Sequence, residues 1–492
     1  MNITMRSDGG CGEPQVIQGG MGVAISGWRL ARAVASLGQL GVVSGTALDL
    51  VLARRLQLGD RDGEMRKALA SFPDRSLADE VLRSFFVPDG AVDGRPSGFP
   101  MFTAAAPHRR QALAVVGGFV EVFLAKQGHR GRVGINFLEK IQLPTPATLY
   151  GALLAGVDYV LVGAGIPRDI PALLDGLTRH EPVSLPLHVT GATPADAFAL
   201  RFDPREVMTP PPGPLARPRF LAIVASATLA ASLARHAGRV DGFVVEGPTA
   251  GGHNAPPRGP LQLDAEGAPV YGARDVVDLG RMRALGLPFW LAGSYASPER
   301  LREALAAGAT GVQVGSLFAF CRESGLDPSL RTGALDEIRH GSVRVFTDPL
   351  ASPTGFPFKV LRLQGTLSEA EVYESRPRRC DIGYLRELYR RADGTLGYRC
   401  PGEPFEDYLR KGGRSEDTQG RKCICNGLLA TAGLGQRHAS GPEPPIVTSG
   451  DDLGPVALLM EGRTSPYSAA EAIAYLVGPG VRERTALQAA LA

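Results

Sequence analysis

The chain has 492 residues, 44% of them hydrophobic and 21% charged, with a formal net charge of +3. It is too long for one compact core alone, and no Lys/Arg tract speaks for nucleic-acid binding. No apolar run approaches the roughly 20 residues of a membrane span, and the start, Met1 to Asp8, lacks the pattern of a signal peptide. A cytoplasmic location is the expectation, with the six cysteines as thiols or ligands rather than disulfides.

Short β-branched runs recur along the chain, each ending in Gly, Asn or Ser and followed by an Ala/Leu/Arg stretch of helical character. The first is Val16-Ile17-Gln18, then Gly41-Val42-Val43-Ser44. About ninety residues separate the second run from the third, in an insertion spanning 50–130. Charged helical stretches are expected there at Arg61 to Ala70 and Ser76 to Phe85, with a loop at Pro96-Ser97-Gly98-Phe99-Pro100. Such length suits a lid or an interface. Next come Val133-Gly134-Ile135-Asn136 and Tyr159-Val160-Leu161-Val162. A surplus pair, Leu185 to Val189 and Phe198 to Phe202, reads as an inserted hairpin over 185–204, tied back by Pro210-Pro211-Pro212-Gly213-Pro214. The remaining runs are Leu221 to Val224, Phe243 to Glu246, Phe289 to Ala292 and Val312 to Gly315.

Continuous apolar strands alternating with helices predict an α/β protein with a parallel sheet buried on both faces. Eight strands predict a (β/α)₈ TIM barrel over 14–355, and a doubly wound open sheet is the alternative that periodicity leaves open. After about residue 355 no further strand is expected. Residues 356–492, which hold Cys380, Cys400, Cys423 and Cys425 and a terminal amphipathic helix at Ser468 to Leu476, read as a smaller accessory domain.

Barrel enzymes place their chemistry at the C-terminal ends of the strands. Here the sixth strand is followed by Gly251-Gly252-His253. Two glycines let a backbone pass close to a flat ligand, and the next side chain can exchange protons near neutrality. The loops after the seventh and eighth strands begin Gly293-Ser294 and Gly315-Ser316. Each offers backbone N–H groups and a hydroxyl to a phosphate, or else is an ordinary tight turn. The first strand ends Gln18-Gly19-Gly20-Met21-Gly22, a stretch on which a planar ring can lie, although its spacing is not a dinucleotide fingerprint. Lys140 is either a cation near such a ring or a solvated lysine; Trp28, Phe356 and Phe358 either line the pocket or, the preferred reading, pack in the core. Four cysteines suit a tetrahedral metal, but with one, nineteen and twenty-two residues between neighbours there is no Cys-x-x-Cys knuckle, so free thiols and a structural metal both stay open. Cys11 and Cys321 read as inert.

The segments Val16 to Gly22, Gly134 to Phe137, Glu246 to His253, Leu291 to Ser294 and Gly311 to Ser316 together resemble the nitronate monooxygenase (formerly 2-nitropropane dioxygenase) family of FMN-dependent barrels, over roughly residues 14–320. The resemblance implies FMN at the barrel mouth, its ring against Gln18, Gly19, Gly20 and Met21. It implies Asn136 at the ring edge, Gly251 and Gly252 beneath it, and the phosphate on Gly293, Ser294, Gly315 and Ser316. It makes His253 the catalytic base in a reaction that turns a nitroalkane or nitronate and dioxygen into a carbonyl compound and nitrite. One departure stands out: Glu246 occupies a position where the family often has Gln. A related group, the flavin-dependent enoyl reductases of fatty-acid and polyketide synthesis, shares Gly-Gly-His, and a flavin-binding subunit of a larger synthase is a further alternative. A small-molecule substrate, homo-oligomerisation or a synthase partner are the associations these readings imply, with neither membrane nor nucleic acid among them.

Overall fold

The computed structural model describes residues 12–91, 100–105 and 108–478. Cys11 and most of the loop at 96–100 lie outside these residues. Eight parallel strands form one sheet: β1 (Val16–Gln18), β2 (Gly41–Ser44), β3 (Val133–Leu138), β4 (Tyr159–Gly163), β5 (Arg219–Val224), β6 (Gly242–Glu246), β7 (Phe289–Ala292) and β8 (Gly311–Val314). They are ordered β1-β8-β7-β6-β5-β4-β3-β2. The two ends of that series meet: Ile17 bridges Leu40 in parallel, Gln18 N–H donates to Leu40 O at 2.9 Å and Leu40 N–H to Val16 O at 3.1 Å. The sheet is therefore a closed barrel, and the open doubly wound alternative falls.

Period-2 alternation assigns the strand side chains to two faces. Ile17, Val42, Tyr159, Leu161, Leu221, Val244 and Trp290 form a buried cluster distinct from that of the surrounding helices, and this cluster is the interior of the cylinder. The opposite set, including Val43, Ile135, Val160, Phe220, Phe243, Leu291 and Val312, packs outward into the main core. At the bottom, Trp290 Nε1 donates to Pro14 O at 2.8 Å. Two residues further up β3, β6 and β8 the inward positions become Asn136, Glu246 and Gln313. The interior thus turns polar at its C-terminal mouth.

Among its described residues the insertion between β2 and β3 carries four helices: Leu48–Gln57, Glu64–Ala70, Arg75–Phe85 and His108–Ala125. The second and third fall where charged periodicity places them. Helix His108–Ala125 is buried on nearly every side, so no amphipathic stripe marks it in the sequence. The inserted hairpin is present as Val183–Pro186 against Ala199–Phe202, antiparallel. Its neighbour Val189–Thr190 leaves it to pair with Leu388 and Tyr389.

Strands do not stop at 355. Arg344–Asp348 pairs antiparallel with Phe358–Arg362, and Glu387–Arg390 with Leu396–Arg399. These hairpins carry too many basic and polar residues for their apolar runs to be noticed, and tertiary contacts supply the burial instead. Ala351, Phe358, Val360, Leu367, Ile382, Tyr384, Ile424 and Ile446 share one apolar cluster with Val23, Ala47, Leu50 and Ile141 of the barrel rim. The chain after β8 thereby roofs the barrel mouth. Among the described residues, no helix is long and apolar enough to cross a membrane.

The seam between β1 and β2 carries a side-chain staple. Gln18 is fully buried; its Nε2 donates to Val42 O at 3.1 Å and its Oε1 accepts from Val42 N–H at 3.1 Å. Replacing Gln18 by Ala strands these backbone groups in an apolar wall. Urea unfolding of Gln18→Ala is expected to show a loss of about 1–3 kcal/mol; an unchanged midpoint would remove the staple's role.

Candidate active site

A cavity opens at the barrel mouth. Its walls include Gly19, Gly20, Met21, Asn136, Glu246, Gly251, Gly252, His253, Gly293, Ser294, Gln313, Gly315 and Ser316. The structure brings together all but one of the candidate binding residues, from five different strand ends. The exception is Gln18, whose carboxamide is committed to the β1–β2 seam and does not face the cavity.

Each of these positions follows from local chemistry. Gly20 stands so close to β3 that a Cβ there would lie 2.3 Å from Asn136 Cβ. Gly293 adopts φ +95° and Ser294 φ +56°, a left-handed pair that turns the chain sharply away from β7. A Cβ on Gly293 would approach Thr249 Oγ1 to 2.8 Å, whereas one on Gly315 would meet only Met21 Sδ at 3.5 Å. The loop after β7 leads into helix Pro298–Ala306, with Ser297 Oγ accepting from Arg300 N–H as its N-cap.

His253 is held by residues more than ninety positions away. Its Nε2 shares a 2.7 Å hydrogen bond with Ser352 Oγ, which also bonds Thr354 Oγ1 at 2.8 Å. The backbone around it is zipped to the hairpin strand Phe358–Arg362: Lys359 N–H donates to Gly252 O and Asn254 N–H to Pro357 O, both at 2.9 Å. The ring of Phe358 packs edge-on to the imidazole at 4.8 Å. Phe358 thus lines the cavity as well as the core, whereas Trp28 is buried core. Lys140 lies outside the cavity wall, its Nζ 5.3 Å from the Phe356 ring.

The glycines before His253 have structural reasons of their own. Gly252 has φ +82°. A Cβ on Gly251 would come within 2.8 Å of Gly450 N, so this glycine admits another piece of the chain rather than a ligand alone. That piece, Val447 to Gly450, is a wall the sequence analysis missed. Thr448 Oγ1 accepts from Gly252 N–H at 3.0 Å. Ser316 Oγ accepts from Gly450 N–H at 2.8 Å and from Ser449 Oγ at 3.0 Å. Nothing but the hydroxyl-rich run Thr448-Ser449-Gly450 marked it in advance.

Burial shifts the two titratable groups of the site toward their neutral forms. Burial pushes the Glu246 carboxyl up to about 8 and pulls the His253 imidazole down to about 4. At neutral pH the site therefore holds a protonated carboxylic acid and a neutral imidazole, one able to donate a proton and the other to accept one. Gln313 Oε1, also on the cavity wall, is a buried acceptor without a partner among the described residues.

The thiols of Cys380, Cys423 and Cys425 lie near one another. Cys380 is hydrogen-bonded to Cys400, which together with burial holds its thiol protonated. Burial pushes Cys423 up to about 11, and Cys425 faces the barrel cavity. Among the described residues no group of three or more His, Cys, Asp or Glu is placed to hold a metal ion. Cys321 is buried.

Ionisation of Glu246 and His253 links the site to stability. The folded pKa of Glu246 exceeds its free value of 4.5, so its contribution is whole below pH 4.5 and is lost as pH rises through about 8. His253 lies below its free value of 6.5, so stability climbs from about pH 4 to 6.5 and is then level. Glu246→Gln is expected to abolish the alkaline decline in melting temperature between pH 5 and 9; a variant that keeps the full decline would place its origin elsewhere.

Residues 216–337 match the family model described as nitronate monooxygenase. The matched segment runs from β5 through β8 and contains Glu246, His253 and both Gly-Ser loops. No curated protein sequence matches the chain. Among solved structures, FabK from Thermotoga maritima is 15% identical with a TM-score of 0.47, the alignment covering 97% of this chain and 94% of that one. Nitroalkane oxidase from Streptomyces ansochromogenes is 16% identical, TM-score 0.44, covering 96% and 97%. The enoyl reductase domain of MlnA from the macrolactin biosynthesis cluster of Bacillus amyloliquefaciens is 13% identical, TM-score 0.37, covering 73% and 66%. The resemblance carried by the motifs is thus borne out where the four strands β5 to β8 supply His253 and the paired Gly-Ser turns: over residues 216–337 the chain matches the nitronate monooxygenase family.

Proposed function

We propose that the barrel mouth binds FMN and that the chain is a flavin-dependent oxidoreductase acting on nitronates or nitroalkanes. One observation carries the proposal: the Gly19-Gly20-Met21 turn, Asn136, Gly251-Gly252-His253 and the two Gly-Ser loops, scattered over three hundred residues, face one enclosed cavity. The residues present suit the cofactor. Gly315 has only the Met21 side chain beside it, at van der Waals distance from where a Cβ would stand, Ser294 and Ser316 offer hydroxyls, and the unpartnered Gln313 Oε1 accepts a donor from a ligand. When bound, FMN supplies the redox chemistry.

The chain's own residues do the rest. Gly293, Ser294, Gly315 and Ser316 hold the phosphate. Gly19, Gly20, Met21 and Asn136 position the ring system. His253, neutral at working pH and oriented by Ser352, takes the α-proton of a nitroalkane or orients the nitronate. The protein region after β8 keeps water from the site, which strengthens each polar contact made there.

A second reading has one observation in its favour. The carboxyl of Glu246, neutral below pH 8, is a proton donor facing the same cavity. Proton abstraction does not need such a donor, whereas reduction of an enoyl thioester does. Anaerobic titration with a nitronate and with NAD(P)H separates the two: bleaching of the flavin by the nitronate, with nitrite released on admitting air, supports the first, and NAD(P)H oxidation dependent on an enoyl thioester supports the second. His253→Ala should retain FMN and lose turnover by about 10²–10⁴-fold; undiminished turnover by flavin-saturated enzyme sinks the catalytic role. Gly315→Glu should purify colourless, because its carboxylate opposes the phosphate charge; a normal flavin absorbance would acquit that loop.

A further inference from the structure

Away from the barrel mouth, a second cavity of ≈ 260 Å³ lies among the segments 367–378, 402 and 418–423. Three arginines, Arg376, Arg378 and Arg421, share its wall with Tyr373 and Cys423. Their partners are unusual. Arg378 Nη2 donates only to carbonyls, Thr418 O at 2.7 Å and Pro401 O at 3.2 Å. Arg421 donates to the carbonyls of Asp417, Leu350 and Ser352. Among the described residues neither makes an ion pair. Arg376 does pair with Glu443 through Nε at 2.5 Å, both side chains being almost wholly buried, 7% and 2% exposed. Yet its Nη2 is a buried donor with no partner among the described residues.

Carbonyl contacts orient a guanidinium without neutralising it. Arg376 is paired with Glu443, while Arg378 and Arg421 hydrogen-bond only to carbonyls among the described residues, with Asp417 and Asp348 acting on Arg421 from farther away. A buried N–H without a partner is costly, and the planar guanidinium fork is matched to phosphate and carboxylate oxygens. We propose that this cavity is a binding site for a phosphate group, distinct from the barrel mouth, with Arg376 Nη2 and the guanidinium groups of Arg378 and Arg421 as donors and Tyr373 beside it. The phosphate is either the inorganic anion or the end of a phosphate monoester.

Titration calorimetry of the full chain at constant ionic strength tests it, with inorganic phosphate and with phenyl phosphate as probes. Saturable binding at one site is expected, surviving in Gly315→Glu, which blocks the barrel-mouth loops, and weakened about tenfold or more in Arg378→Gln. A second measurement needs no variant: phosphate should slow alkylation of Cys423 by iodoacetamide, followed by mass spectrometry, where sodium chloride of equal ionic strength does not. Tighter binding of phenyl phosphate supports an ester as ligand, and equal or weaker binding supports the free anion. Absence of heat with either probe, or unprotected Cys423, overturns the site; so does phosphate binding lost in Gly315→Glu and kept in Arg378→Gln.

Discussion

Closure of the barrel mouth by residues that follow the barrel in sequence is the constraint on which the site depends. An eight-stranded barrel needs its helices for stability, but not a roof over its C-terminal face. Here the apolar cluster that joins Leu50 and Ile141 of the rim to Phe358, Ile424 and Ile446 supplies one. Desolvation beneath it leaves Glu246 protonated and His253 neutral. In an open, water-filled mouth each would revert toward its free pKa: Glu246 would be ionised at neutral pH, and His253 would take up its proton near 6.5 rather than about 4.

The same roof sets geometry. His253 owes its orientation to Ser352 and to backbone pairing with the strand at 358–362. Ser316 shares its hydroxyl with Gly450 and Ser449. The glycine at 251 is required because Ser449 and Gly450 pass over it, within 2.8 Å of where a Cβ would stand. Residues conventionally read as ligand contacts are thereby also contacts between two parts of the chain, so loss of the C-terminal region would disturb the candidate phosphate loops directly.

Buried charge anchors the roof to the barrel. Arg110 and Asp49 pair at 2.7 Å with side chains only 4% and 2% exposed, and Tyr384 from the roof donates its hydroxyl to Asp49. Arg54 reaches Gln436 in the same way. Buried pairs of this sort contribute little net stability over apolar replacements, but removing one partner is severe, because the other is left as an uncompensated charge.

By itself the sequence determined the eight parallel strands, and their closure into a barrel was settled by the pairing of Ile17 with Leu40. All eight strands lie where continuous apolar runs end in Gly, Asn or Ser, because strands buried on both faces must be apolar throughout and must turn at their ends. The Gly-Gly-His and Gly-Ser motifs were legible for a similar reason, since backbone approach at a barrel rim tolerates few residue types. The tertiary structure decided what no local pattern encodes. Gln18 points into the β1–β2 seam because barrel closure leaves backbone groups there that it alone reaches. The fold turns Cys425 toward the cavity and hydrogen-bonds Cys380 to Cys400, a division that their spacing did not foretell. The roof, its hairpins and the Thr448-Ser449-Gly450 wall become visible only when residues a hundred or more positions apart meet, because their burial, and hence their chemistry, is conferred by the surface they cover.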